Sequence, residues 1–250
     1  MIHLQVNATL VMFFVLLITI APRVQSATDC SQVKEIPQKE CQALIQFYEQ
    51  TGGAQWSDSP GNNWNVTDTP CDWAGVFCRG KHVDSIERKR KNLTGAIPDL
   101  SDLTELRRLV LPYNQLTGSV PDFSQYKALA TLSLFHNQLS GPLPKPEYFD
   151  RQIQQLWLGH NQFSGAIPDY SAIDRLASLS LTHNQLSGAV PQLNLLKRIV
   201  AVNLAHNQLK GSIPKLGTIE RLRYLNLSHN RLTGEIPELS GLQELRVLSL

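Results

Sequence analysis

The sequence predicts an α/β solenoid, a right-handed superhelix with short parallel strands along one concave face and a helical, disulfide-bonded cap at its start. Three observations carry that expectation. A unit of 23 residues recurs from Leu93 to the end of the chain. Four cysteines all stand ahead of the first unit, and an uncharged apolar run stands ahead of the cysteines. A period of 20 to 50 residues signals a stack of coils, because one such coil cannot bury its own apolar face.

The apolar run, NATLVMFFVLLITIA from Asn7 to Ala21, is shorter than the roughly 20 residues a membrane-spanning helix needs. Val24 and Ser26 stand three and one residues before a cut after Ser26, so residues 1–26 are expected to be a secretory signal peptide. A cut after Ala21 would set Pro22 beside the scissile bond and is ranked lower. A retained signal anchor is the alternative. The chain has 23 Lys and Arg against 21 Asp and Glu, a net charge of +2, which gives no general attraction to nucleic acid or anionic membrane. With 42% hydrophobic and 18% charged residues it is too apolar for a disordered chain and too polar for a multi-span membrane protein.

The cap is expected over residues 27–82. Its cysteines are Cys30, Cys41, Cys71 and Cys78, an even number in an oxidising compartment, which argues for two disulfides. Three connectivities are open, with the neighbour pairing Cys30–Cys41 and Cys71–Cys78 preferred. The spacings lack the tight Cys-x2-4-Cys pairs of a zinc site and the Cys-x-x-Cys of a redox centre.

The repeats are expected over residues 83–250. LTGAIPDLSDLTELRRLVLPYNQ, LTGSVPDFSQYKALATLSLFHNQ and FSGAIPDYSAIDRLASLSLTHNQ align without gaps, and the unit from Leu139 to Gln162 carries one extra residue. Each contains L-x-x-L-x-L-x-x-N-x-L, the leucine-rich repeat signature, first as Leu106, Leu109, Leu111, Asn114 and Leu116. Period-2 alternation turns two strand leucines inward with one residue outward between them. The recurring Asn114, Asn137, Asn161, Asn184, Asn207 and Asn230 are expected to be structural, their amides bonding backbone groups of the turn. The Gly and Pro of each G-x-I/V/L-P step read as bends, not as a phosphate loop. Leu250 is the second strand leucine of a seventh, incomplete unit, so the sequence is expected to be a piece of a longer product. The residues beyond Leu250 would decide between a membrane receptor, with or without a kinase, and a soluble protein.

The L-T/S-G-x-I-P step joined to L-x-x-L-x-L-x-x-N resembles the plant-type class of leucine-rich repeats, although the period here is one residue shorter than is usual there. CQALIQFYEQTGGAQWSDSPGNNWNVTDTPCDWAGVFC resembles the amino-terminal cap of that class, with C-D-W-A-G-V-F-C as its most specific part. Cap and repeats together cover nearly all of residues 30 to 250. The resemblance implies an extracellular recognition module: the ectodomain of a receptor-like kinase or receptor-like protein, or a secreted inhibitor of cell-wall hydrolases.

The chain has no H-E-x-x-H, nucleophile elbow, Walker loop or kinase signature, so no catalytic residue, cofactor or metal is expected. Function is expected in binding. The residues between the strand leucines are Val110, Ser133, Trp157, Ser180, Asn203, Asn226 and Ser249, and those after the second leucine are Pro112, Phe135, Gly159, Thr182, Ala205 and Ser228. Large rings turned outward have no core to join. Phe135 and Trp157, with Tyr113, Arg107 and Arg108 one repeat back and Tyr224 further on, are therefore the candidate ligand-binding residues. The competing explanation is that Trp157 and Phe135 pack on each other.

Two further features have a plain and a sharp explanation. His136, His160, His183, His206 and His229 fall in one column, which suits a pH sensor or metal strip. It equally suits copies of one unit whose turn tolerates His, the preferred reading. The basic run Arg88, Lys89, Arg90 and Lys91 suits a polyanion site or, preferred, a degenerate first strand with solvated charges. Glycosylation sequons lie at Asn65, Asn92 and Asn226. The leading expectation is a receptor-like ectodomain whose peptide, protein or glycan ligand docks on the concave sheet around repeats one to three. It has no nucleic-acid partner, and would meet a membrane only through a segment after Leu250. A hydrolase inhibitor and an adhesive matrix component are the alternatives.

Overall fold

The computed structural model describes residues 27–149, 152–217 and 219–250; the expected signal segment at 1–26 lies outside them. The first leucine or valine of each pair in the repeat sits at the centre of a three-residue strand, and these strands join in one sheet of nine with the cap hairpin, among the described residues. Its edge is a hairpin of β1 (Val76–Arg79) and β2 (His82–Glu87), antiparallel with Val76 opposite Ile86. From β2 onward every pairing is parallel, and Ile86, Leu109, Leu132, Leu156, Leu179, Val202 and Leu225 lie in register. These residues are buried, Leu179 at 1% exposure being the least so. Removing a leucine-sized side chain from water stabilises by about 1.5–3 kcal/mol, so the stacked row is the main cohesive force between coils.

The sequence placed strands on one face only. Among the described residues the structure has a second parallel sheet of seven strands, most of them built from the segments just after the ladder asparagines, such as Gln115–Gly118, Gln138–Gly141 and Gln185–Gly188. The glycine of the G-x-I/V/L-P step closes most of these strands at positive φ, 79° at Gly118, a backbone region closed to most side chains. What reads as punctuation in the sequence is therefore a strand with a left-handed end. Among the described residues the helical part of the expected architecture is confined to α1 (Gln38–Gln50) in the cap and to single 3-10 turns in cap and repeats, such as Tyr170–Ala172. In three coils the turn before the return segment is set by an aspartate: Asp99, Asp122 and Asp169 accept the amide of the serine two residues on.

The asparagine ladder ties coil to coil. The Asn161 amide donates to the Leu134 carbonyl of the preceding coil at 3.0 Å and to Leu158 of its own at 3.1 Å, while its oxygen accepts from Leu139 N at 3.0 Å. Asn137, Asn184, Asn207 and Asn230 repeat the pattern. Each thereby satisfies backbone groups that a leucine would leave buried and unpaired.

In the cap, α1 turns Cys41, Ala43, Leu44 and Phe47 onto three buried tryptophans. Trp56 and Trp73 each lie 5.1 Å from Trp64, ring centre to ring centre. The disulfides are Cys30–Cys41 and Cys71–Cys78, the preferred pairing. Arg88 departs from expectation. It is 1% exposed, not solvated, because it occupies a leucine position of the first coil and points into the cap. Its guanidinium lies 4.4 Å over the Trp56 ring, donates to the Ala74 carbonyl at 2.8 Å and to Asp58 at 2.6 Å, and Lys91 pairs with the same carboxylate at 3.1 Å. Desolvation opposes ionisation of Asp58, but hydrogen bonds from Arg88, Asn62 and Lys91 and the Arg88 charge outweigh it and hold its pKa below the usual carboxylate range.

Arg88→Ala is expected to lower the unfolding free energy by about 3 kcal/mol, since it leaves Asp58 without its main partner and a cavity against Trp56. Arg88→Lys should recover less than half, because an ammonium lacks the planar fork that reaches both acceptors and stacks on the indole. Urea denaturation followed by tryptophan fluorescence measures both, and a cost under about 1 kcal/mol would return Arg88 to the solvated class.

Candidate functional site

The site begins at the residue just before each ladder asparagine. Arg90, Tyr113, His136, His160, His183, His206 and His229 all have positive φ, between 52° and 58°. That left-handed turn is where the chain leaves the first sheet and starts the second. Histidine is among the few non-glycine residues enriched there, which is the physical basis for its repetition. With the backbone identical in every coil, the side chains project in parallel and their rings stack. Tyr113 lies 4.4 Å from His136, His136 3.8 Å from His160, and each following pair down to His229 lies at 4.0 Å. Arg90 closes the stack at 4.4 Å over Tyr113.

Between this stack and the first sheet lies an open groove of about 380 Å³ lined by Phe135, His136, Trp157, Gly159, His160, Ser180 and Thr182. The strand alternation turns Trp157 outward; its indole N–H donates to the Ser178 hydroxyl at 2.9 Å, so the ring leans toward the following coil. Phe135 leans the other way, edge-on to Tyr113 at 4.9 Å. The two rings form opposite sides of the groove. Gly159 forms its floor: a Cβ there would stand 2.9 Å from the Thr182 methyl, so a side chain would both crowd Thr182 and fill the space. The Ser133 hydroxyl beside Trp157 is buried without a hydrogen-bond partner among the described residues.

The candidates read from the sequence separate into three places. Phe135 and Trp157 line the groove, and Tyr113 braces Phe135 and His136 from behind. Arg107 and Arg108 stand on the second coil, where Arg108 pairs with Glu87 of the first at 3.0 Å and Arg107 with Asp84 of the first at 3.4 Å. Such exposed pairs contribute under about 1 kcal/mol and leave the guanidinium groups accessible. Tyr224 lies three coils beyond Trp157, its hydroxyl accepting from Asn226 at 3.3 Å, and is not part of the groove. The sequence reading left out Gly159, Ser180, Thr182, His136 and His160 as site residues. Their columns were legible, but outward rings and the arginines at their edge singled out the candidates. Of the sequon asparagines, Asn92 is exposed, Asn65 is half-buried with its oxygen accepting from Thr28 N at 3.1 Å, and Asn226 lies on the same sheet face as Trp157.

Burial, followed by the positive charge of His136, His183 and His206, pushes the His160 pKa down to about 4. His136 is lowered by burial and by Arg90, and His206 by burial and by its two neighbours in the stack. Among the described residues no group of three or more His, Cys, Asp or Glu side chains is placed to hold a metal ion. Rings stacked face to face direct their nitrogens outward in parallel instead of toward one point.

Three comparisons bear on this architecture. Residues 37–79 match the leucine rich repeat N-terminal domain and residues 221–242 match the Leucine Rich Repeat. A probable leucine-rich repeat receptor-like protein kinase of Arabidopsis thaliana is 45% identical over 60 residues, 23% of this chain and 9% of that protein. The chain therefore spans only a small part of that relative. Among solved structures, PEPR1–AtPEP1 superposes with a TM-score of 0.72 at 27% identity, covering 84% of this chain and 31% of the receptor. The plant peptide hormone receptor RGFR1 in complex with RGF2 gives 0.60 at 28%, covering 63% and 26%.

A histidine whose pKa falls on folding binds fewer protons in the native state than in the unfolded one. Its contribution is intact above about pH 6.5 and is lost as the pH falls toward 4. The native state should accordingly weaken between pH 6.5 and 4.5, and His160→Asn, which keeps a residue tolerant of the left-handed turn, should weaken less. Urea midpoints of the two proteins across that interval test this; parallel curves would show that the stack does not titrate with folding. In its two closed disulfides, its cap and its repeats the chain is similar to the leucine-rich repeat ectodomains of plant receptors.

Proposed function

We propose that the chain is the recognition module of a receptor-like protein or receptor kinase and that it binds a peptide or protein ligand on the face of the nine-stranded sheet, in the groove between Phe135 and Trp157. The observation that carries this reading is the pair of outward rings set apart over a glycine floor, with the Ser180 and Thr182 hydroxyls along the edge. A groove with apolar sides and a few polar groups at its rim is the composition that holds one anchoring side chain of a partner. The likeness to RGFR1, solved with RGF2, and to the PEPR1–AtPEP1 structure favours a peptide among the possible ligands. Residues 27–82 act in this scheme as the cap that closes the core at one end, and the repeats from residue 83 supply the binding face. Chemistry, where the complete protein performs any, belongs to a separate domain.

Peptides selected by display against the wild-type chain at pH 6 provide a direct test. Trp157→Ala is expected to weaken the selected peptides about 30-fold, in line with loss of a central aromatic anchor, with an unchanged urea midpoint. Tyr224→Ala should change their affinity less than twofold. Selected peptides that bind wild type and Trp157→Ala alike would place recognition elsewhere.

A further inference from the structure

The ring stack has a property that packing alone does not explain: no carboxylate stands in the turns that carry it. The residues preceding it in the turn are Phe135, Gly159, Thr182, Ala205 and Ser228, and those after it are the ladder asparagines and then Gln138, Gln162, Gln185, Gln208 and Arg231. No carboxylate occurs in either set. The charges that bear on His136, His160 and His206 are Arg90 and the neighbouring imidazoles, all positive when charged. At the Tyr113 end Lys89 joins Arg90, 5.5 Å from the phenol ring. The hydrogen bond between His183 Nδ1 and the Thr182 hydroxyl, at 3.0 Å, brings a neutral partner to the stack. Protons taken up by this strip therefore create positive charge whose counter-charge must come from outside the chain.

We propose that the strip from Arg90 to His229 is an acid-gated surface for an acidic peptide segment, which runs along the rim while a neighbouring side chain enters the groove. The inference rests on the groove being the docking site, since His136 and His160 line both. Spacing favours an extended peptide. Imidazoles about 4 Å apart repel when both are charged, so protonation falls on alternate rings, about 8 Å apart. An extended chain sets same-face side chains roughly 6.6 Å apart, within reach of that interval for carboxylates on flexible stems. A bound carboxylate favours the charged imidazole, so binding takes up protons and must strengthen as pH falls.

The probe is a hexapeptide of alternating Asp and Ser, with the Asn–Ser hexapeptide as its uncharged control. Aspartate is still mostly ionised at pH 5.0. The Asp–Ser peptide is expected to bind at least about tenfold more tightly at pH 5.0 than at pH 7.5, the effect of roughly one proton taken up, and the control should show no such change. The triple variant His136→Asn, His160→Asn, His183→Asn keeps residues suited to the left-handed turn and should abolish the pH dependence. The single variant His160→Asn should reduce it, should the triple variant fold poorly. Equal affinity at the two pH values, or a pH dependence that survives in the stack variants, overturns the proposal. So does an oligouronide that binds in acid where the acidic peptide does not. Trp157→Ala in the same titration separates the two readings. Acid-strengthened binding that Trp157→Ala leaves untouched removes the groove and keeps the strip. Binding that depends on Trp157 but not on pH keeps the groove and removes the strip.

Discussion

One turn, repeated in every coil, holds the two sheets in place. At its apex a residue takes the left-handed backbone region, and the next residue, the asparagine, drops its amide into the core. Each amide makes about three hydrogen bonds that reach across two coils, and an unpaired buried carbonyl costs on the order of 1–3 kcal/mol. Leucines supply the cohesion but are indifferent to register, whereas the asparagine accepts one register only. Because it fixes the turn identically each time, the residue before it projects identically as well. The ring stack is thus a geometric consequence of the ladder.

The same logic explains the cap. The first coil has no preceding coil to receive an asparagine, and Lys91 stands in that place, its backbone amide donating to Asn114. Just after the strand of that coil Arg88 replaces a leucine and reaches into a shell of tryptophans, carboxylate and carbonyl. A guanidinium can stack on an indole while donating in its own plane, which lets it join an apolar core to polar cap loops.

Much of this was legible before any coordinates. The spacing of Leu106, Leu109, Leu111 and Asn114 sets strand, core and ladder, and the pairing of the cysteines is the preferred one. The second sheet was not legible, because Q-L-x-G is a four-residue strand that ends in a glycine at positive φ, and so short a segment before a glycine reads as a bend. Arg88 was misjudged because a charged residue at a core position carries no signal of its partners, which are 14 and 30 residues away in Ala74 and Asp58. In the site, Phe135 and Trp157 stood out by size. The groove between them depends on Gly159, whose contribution is the absence of a side chain. Arg107 and Arg108 were grouped with the rings by column, but the columns do not show that Asp84 and Glu87 already engage them.

Recognition, on this account, happens where the sheet face and the ring stack meet, on the third to fifth coils. The four tryptophans of the chain make that claim directly measurable, because Trp56, Trp64 and Trp73 are buried in the cap and Trp157 alone lies on the sheet face at the groove. Fluorine NMR of protein labelled with 5-fluorotryptophan should show four resonances. The account predicts that a bound peptide ligand shifts or broadens the Trp157 resonance, assigned by Trp157→Phe, and leaves the other three in place. A ligand that moves a cap resonance, or none, while Trp157 stays where it was, would contradict it.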